Sequence, residues 1–426
     1  MKFFIFFIIV VLLFRFYIFY YKQHSIIDGQ MLNFSTTLLT QPREKGRFQE
    51  LSVILANGER VFIRANHFPL FHYGQTIYIS GRVHKTITPD ISNQNDQVLD
   101  RKRVALSMFL PQIEAQKKDQ NNILAATYIV RQKTISLYRN TLPKTHASLL
   151  LGIVFGIKED MSNEFMDKLR ISGVLHVVAA SGMNVTLVAA FVSNLFIVFF
   201  KRQYALILTL FVIAFYAVFS GLEASILRAS IMGGLVFSAQ IMGRQVLSWY
   251  IVLLTGWMML LFWPYLLFDI GFQLSFAATL GILFLPKALP LRIEKFLINS
   301  PIGADILTTI SAQLATIPIL LVNFGTYSLI SLVVNPLVLW VIPPLMVIGS
   351  FVGVIGLFIP IIGKFILFLS IPFLSYFIFI TQFFGDIPIG IVIEKASVPI
   401  IIGYYCLLVS IVMGLKQIYA KKNIDR

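Results

Sequence analysis

The sequence is poor in charge. Asp, Glu, Lys and Arg make up 13% of its 426 residues, against about 25% in ordinary soluble domains. That scarcity, with 57% hydrophobic residues and a mean hydropathy of +0.80, excludes a soluble globular chain and a disordered one. Cysteine is nearly absent. Cys406 stands alone inside an apolar run, so no internal disulfide braces a domain and no Cys-x-x-Cys metal pair exists. Histidine is confined to positions 24, 67, 72, 84, 146 and 176, which denies the second half any His-based metal motif. No Gly-x-x-x-x-Gly-Lys-Ser/Thr loop occurs, so the sequence has no phosphate loop for nucleotide hydrolysis. We expect no cofactor, no metal and no enzymatic activity.

What is abundant is apolar sequence. A bilayer-spanning helix takes about 20 residues, and the composition suffices for roughly ten spans plus one modest soluble domain. The first apolar run, residues 3–21, carries Arg15 and lacks a small-residue cleavage site. It reads as an uncleaved span whose arginine snorkels or marks packing against another helix.

Between residues 22 and 144 the apolar runs shorten and turn residues appear. Asn57-Gly58 between residues 48–56 and 60–65 predicts a hairpin. Alternation in residues 76–87 puts Ile77, Ile79, Gly81 and Val83 on one face. With residues 31–40 this gives four or five short strands, the pattern of a small OB-like β-barrel. Residues 88–103 read as a loop. Residues 112–140 read as an amphipathic helix of the kind that lies on a membrane surface.

Apolar runs resume at residues 174–200, 204–221, 224–242, 246–264 and 268–285. If Met1 is cytoplasmic, the basic short loops at Lys201-Arg202, Arg244 and Lys287–Lys295 all fall on the cytoplasmic side, as the positive-inside rule requires. The β region then lies outside. It holds 17 Lys and Arg against nine acids, roughly half of the net +15. Loop orientation does not explain basicity in a long external domain, so the charge points to an anionic partner. Further runs at residues 302–324, 329–348, 349–362, 365–384 and 398–415 are interrupted by Pro318, Pro336, Pro343-Pro344, Pro360 and Pro372. Broken helices at membrane depth line cavities or pack inside protein.

Residues 174–286 contain six charges, of which Glu223, Arg228 and Asp269 lie near or within apolar segments. Intramembrane charges are costly and default to paired or functional roles. Small residues at i+4 spacing (Ser225, Ala229 and Gly233; Ser230, Gly234 and Ser238) predict close helix packing around Arg228. His176, Ser181 and Asn184 form a polar patch. On a continuous helix His176 and Ser181 stand about 140° apart, which argues against a Ser–His hydrolase, whereas Ser181 and Asn184 share a face.

The stretch Arg170-Ile-Ser-Gly-Val-Leu-His176-Val-Val-Ala-Ala-Ser181-Gly-Met-Asn184-Val resembles the signature of the ComEC competence family, the inner-membrane DNA uptake channel. So do residues 227–232 (LRASIM), 271–278 (GFQLSFAA), 312–318 (AQLATIP), and Phe324-Gly325 with Asn335-Pro336. These motifs stand in the family's order across residues 146–345. The β region is similar, more loosely, to the OB-like domain that precedes the channel.

The resemblance implies a polytopic α-helical membrane protein of the bacterial cytoplasmic membrane with a small external OB-like β-barrel domain. Its parts would be an N-terminal transmembrane helix (1–22), the OB-like domain (23–110), an amphipathic linker (111–145), a multi-span channel domain (146–416) and a basic tail (417–426). It implies import of single-stranded DNA during natural transformation. Arg60, Arg64, Tyr78, Arg82 and Lys85, with Phe62, would meet DNA on the OB-like domain, where basic grooves with stacking aromatics bind single strands. His176, Ser181, Asn184, Glu223, Arg228, Asp269, Gln273, Ser275, Gln313 and Asn335 would line the polar path. Implied partners are single-stranded DNA, membrane lipids, a DNA receptor, a cytoplasmic ATP-driven motor and a separate nuclease. The family often carries a C-terminal metallo-β-lactamase-like domain, and the resemblance here is to the form lacking it. Many relatives also have His where Asn184 stands. A competing reading is a small-molecule or lipid transporter with an external sensor domain.

Overall fold

The computed structural model describes residues 10–19, 27–38, 42–45, 47–55, 60–71, 75–87, 104–115, 122–157, 160–178, 182–220, 224–245, 247–289, 300–387, 390–392 and 398–424. The chain divides into two compact units, Met1–Lys133 with Trp257–Leu267, and Thr134–Gly256 with Phe268–Arg426.

The first unit opens with α1 (Val10–Phe19), followed by eight strands: β1 (Met31–Thr37), β2 (Arg43–Lys45), β3 (Phe48–Ile54), β4 (Arg60–Asn66), β5 (Thr76–Arg82), β6 (His84–Ile87), β7 (Val104–Phe109) and β8 (Gln112–Ala115). The hairpin expected around Asn57-Gly58 is present: β3 and β4 pair antiparallel from Phe48↔Asn66 to Ile54↔Arg60. The turn itself, like the loop at 88–103, lies outside the described residues.

The strands make two open sheets, β1-β5-β8 and β2-β3-β4-β7-β6. Among the described residues no closed barrel forms. Residues 76–87 do not run as one strand. The chain leaves the first sheet at Val83, whose N–H donates to Gln30 O at 2.9 Å, and enters the second as β6. The alternation still holds, because Ile77, Ile79 and Val83 are fully buried and join Leu51, Val53, Val61, Ile63, Leu106 and Met108 in one core shared by both sheets. Phe62 falls on the outer face, between buried Val61 and Ile63. Arg15 donates its Nε–H to Leu261 O at 3.1 Å, so it packs against another helix.

The amphipathic helix expected from residue 112 is shorter. Residues 112–115 are edge strand β8, and the helix α2 spans Asn122–Thr141. Its last turns are not laid on a surface: Thr134, Ile135 and Tyr138 are buried, and Tyr138 donates its hydroxyl to Gly349 O. A helix with that face buried belongs to a protein core.

The second unit continues with α3 (Lys144–Phe155), α4 (Asn163–Ile171), the short α5 (Leu175–Val178), α6 (Gly182–Phe199), α7 (Arg202–Phe219), α8 (Ala224–Ile241), α9 (Ser248–Phe262), α10 (Ile270–Phe284), α11 (Pro301–Phe324), α12 (Ser331–Leu339), α13 (Ile342–Phe358), α14 (Pro360–Phe368), α15 (Ile371–Gly385) and α16 (Val398–Ile424). Antiparallel β9 (Thr326–Ser328) and β10 (Gly390–Val392) pair between helices. Among the described residues five helices are long and apolar enough to cross a bilayer, and seven spans result if each of two bent pairs is one.

Those pairs revise the segment count. Residues 329–362, expected as two runs, form α12 and α13 with a 48° bend; α14 and α15 meet at 44°. Proline sets the breaks. Pro360 and Pro372 sit in the first turns of α14 and α15, and Pro343-Pro344 in that of α13, where a missing N–H costs nothing. Pro318, by contrast, lies within an unbroken α11. α16 runs through the basic residues at 416–422, so they extend a helix.

Candidate functional site

α3 has 12 residues, about 18 Å of helix, too short for a hydrocarbon core of about 30 Å. Nine of its residues are buried. A helix end in such surroundings needs partners for its last carbonyls, and those of Leu151, Gly152, Ile153 and Val154 have them. Gly156, at φ 73°, donates to Gly152 O, and Ile157 to Leu151 O. Asn184 on α6 donates its amide to Ile153 O at 2.6 Å, and Tyr216 on α7 its hydroxyl to Val154 O at 2.7 Å. Asn184 is thus fully buried against α3, a placement its polarity alone does not reveal.

Arg228 stands on α8 beside a cavity of about 540 Å³ between α6, α7 and α8, lined also by Thr186, Ser193 and Asn194. Its Nη1 donates to Thr279 Oγ1 on α10 at 2.8 Å and lies 3.3 Å from Met232 Sδ. Thr279 in turn donates to Ser275 O. The guanidinium carbon sits 5.9 Å from the Phe276 ring centre, within cation–π range. Among the described residues no carboxylate pairs with Arg228, and its Nε–H is buried without a partner. A Cβ on Gly233 would meet Ile213 at 3.7 Å and one on Gly234 would meet Leu210 at 4.0 Å, so α7 and α8 are in van der Waals contact at these small residues, while Ala229 and Gly233 also line the cavity.

A second polar cluster joins α4, α11, β9 and α12. Gln313 on α11 donates to Ser331 Oγ at 2.9 Å and accepts from Tyr327 Oη at 2.8 Å. Ser331 donates to Ser328 O, and Ser328 to Ile171 O. Gly173 sits at φ 74°, and a Cβ there would meet Ser331 Cβ at 2.3 Å. Gln313 is therefore committed to a structural network. Asn335 is buried, and among the described residues its side-chain oxygen has no partner.

The remaining expected residues separate. Asp269 caps α10, accepting from Phe272 N–H at 2.9 Å. His176 is exposed, with Nδ1 3.1 Å from Gly173 O. Gln273 and Ser275 lie on α10, half-buried. Ser181 and Glu223 lie outside the described residues. In the first unit Arg64 is half-exposed and ion-paired to Glu50 at 3.2 Å. Tyr78 is half-buried; Arg82 and Lys85 are exposed. Arg60 opens β4 opposite Ile54; its side chain is outside the described residues. Tyr216, Thr279, Tyr327, Ser328 and Ser331 were not among the expected residues. Only their neighbours' motifs could have flagged them, since lone hydroxyls in apolar helices carry no spacing signal.

The motifs at 170–185, 227–232, 271–278 and 312–318 thus meet through Gly182–Arg228, Arg228–Phe276 and Gln313–Ser331–Gly173 contacts. The family model described as "Competence: Competence protein" matches residues 153–417. The chain belongs to the Competence protein family. ComE operon protein 3 of Bacillus subtilis (strain 168) is 29% identical over 212 residues, 49% of this chain and 26% of that protein. An uncharacterized protein of Aquifex aeolicus (strain VF5) is 24% identical over 265 residues, 59% of this chain and 61% of that one. The matches span about a quarter and three fifths of these relatives' lengths. No solved structure matches. Both polar clusters lie within the matched competence region, which makes this a multi-pass member of the family whose shared motifs build the interior of the helical unit.

Proposed function

We propose that the protein is a channel component that imports single-stranded DNA across the bacterial cytoplasmic membrane during natural transformation. The observation that carries the reading is the convergence of the competence motifs on a polar interior containing an arginine that, among the described residues, has no carboxylate partner. A polyanion crossing an apolar bundle needs such a lining, because isolated charge is costly at membrane depth. The β unit is the external OB-like receiver in this reading. Its outer sheet face offers Phe62 and Arg64, with Arg82 and Lys85 exposed elsewhere, the combination of stacking rings and cations that binds single strands without sequence preference. A cytoplasmic motor supplies the energy in this reading, since this sequence has no nucleotide-hydrolysis loop.

The test is a null strain offered fluorescently labelled DNA. The expected result is surface-bound DNA that fails to enter the cytoplasm, restored by the wild-type chain. Normal import in the null strain defeats the reading and favours the small-molecule or lipid transporter. Salt-sensitive binding of single-stranded DNA by the purified full chain separates the two further.

A further inference from the structure

Among the described residues the charge of Arg228 has no counterpart. The described cavity wall it shares with Gly182, Thr186, Ser193, Asn194 and Gly233 carries no other charged side chain. Among the described residues no carboxylate reaches it, and its buried Nε–H lacks an acceptor. Three features hold the guanidinium at the cavity: the Thr279 hydroxyl on Nη1, the Phe276 ring and Met232 Sδ. A fourth is an absence of bulk. A Cβ on Gly182 would lie 2.7 Å from Arg228 Nη2 and 3.4 Å from Ala229 Cβ, so any other residue there displaces the guanidinium.

A pre-positioned cation lining a cavity of about 540 Å³ is a small-ligand site by size, and its chemistry selects an anion. The planar fork of guanidinium donors matches phosphate oxygens, and a site with one positive charge balances one negative charge. We propose that the α6–α7–α8 cavity binds a phosphodiester monoanion, with Arg228 as its ligand and Gly182 and Thr279 as positioning residues. The proposal rests on the transport reading only for the source of the phosphodiester. A DNA strand and a phospholipid headgroup offer the same group, and the experiment separates them.

The full chain in phosphate-free maltoside micelles is titrated with the dinucleotide thymidylyl-thymidine and with its uncharged methylphosphonate analogue. The expected result is at least tenfold weaker binding of the analogue, and at least tenfold weaker binding of the dinucleotide by R228Q. With a longer oligothymidylate, R228Q lowers the slope of log affinity against log salt by about 0.7, the increment for one single-strand phosphate. G182A retains the charge and takes the space of Nη2. It weakens the dinucleotide at least threefold while circular dichroism is unchanged, and this arm decides if R228Q does not fold. Measurable but equal binding of dinucleotide and analogue, unchanged binding in both variants, or failure to bind either dinucleotide or phosphatidylglycerol overturns the site. In a parallel arm the micelles carry phosphatidylglycerol. Its retention by wild type and loss in R228Q, with dinucleotide binding absent throughout, supports the phosphodiester site with lipid as its source. Null-strain import that stays normal while the dinucleotide arm succeeds defeats the transport reading alone and leaves the site standing.

Discussion

Asn184 donates its side-chain amide to the Ile153 carbonyl at 2.6 Å, joining the first turn of α6 to the last turn of α3. Tyr216 does the same for Val154 from α7. Two neighbouring helices thus finish a third that ends inside the unit, where no water can satisfy the freed carbonyls. A histidine at position 184 also has a ring N–H to donate, so that exchange tests whether the position requires a donor.

Asn184→Leu leaves the Ile153 carbonyl buried and unpaired. We expect a loss of about 1–3 kcal/mol, measured as a lowered unfolding midpoint of the purified chain. Asn184→His should restore most of the loss. Equal destabilisation by Leu and His would show that volume, and not the donor, governs the position.

Gly173→Ala should fail more severely. The alanine must adopt φ near 74°, which costs an L-residue about 1 kcal/mol or more, and its Cβ meets Ser331 Cβ at 2.3 Å. The expected outcome is loss of monodisperse protein on size-exclusion chromatography. Ser331→Gly in the same chain removes the clash and leaves only the backbone cost, so the double variant should recover in part.

In the β unit, fully buried Gln49 organises residues 66–71. The carbonyls of Asn66, His67 and Pro69 lie 2.9, 2.6 and 2.9 Å from its Nε2 and share its two N–H donors, and its Oε1 accepts from Phe71 N–H at 3.1 Å. Gln49→Leu strands these backbone groups and should cost more than about 2 kcal/mol. Amide exchange at Phe71 should accelerate. Gln49→Glu keeps the acceptor but faces a carboxylate with three carbonyls, and should be at least as damaging near neutral pH.

Arg64 is held by Glu50 across the β3–β4 pair. Because the pair is exposed, Glu50→Gln should change stability by under about 1 kcal/mol. If single-stranded DNA binds this face, the same change frees a cation and should raise affinity at low salt, whereas Arg64→Gln should lower it and reduce the salt slope by about 0.7. Affinity that is indifferent to both substitutions would place the DNA surface elsewhere.

The strands and most spans were legible because their signals are local. Alternation at Ile77, Ile79 and Val83 survived even though the chain changes sheets at that point, since burial on one face is a property of each residue and its pleat. The hairpin around Asn57-Gly58 was legible because its turn signal is local. Strand β8 was missed because four residues, Gln112–Ala115, are too few to show a period. The candidate path was legible only as a set of polar residues. Gln313 and Asn335 carry the same polarity in the sequence, yet one is enclosed in a network and the other, among the described residues, has an unpaired oxygen. Asp269 reads as an intramembrane charge and proves to be a helix cap.

Composition by itself determined that this chain is a multi-pass membrane protein, because apolar surface in that proportion has no other stable environment. The order of its motifs determined its family. Only the tertiary structure decided what the interior charges and small residues do. That Gly233 meets α7 and also lines a cavity depends on where α6 and α7 stand. Whether Arg228 is neutralised depends on which side chains reach it across 40 to 50 residues of sequence. Such long-range pairings leave no periodic trace in the chain, since they are fixed by packing between helices and not by propensity within them.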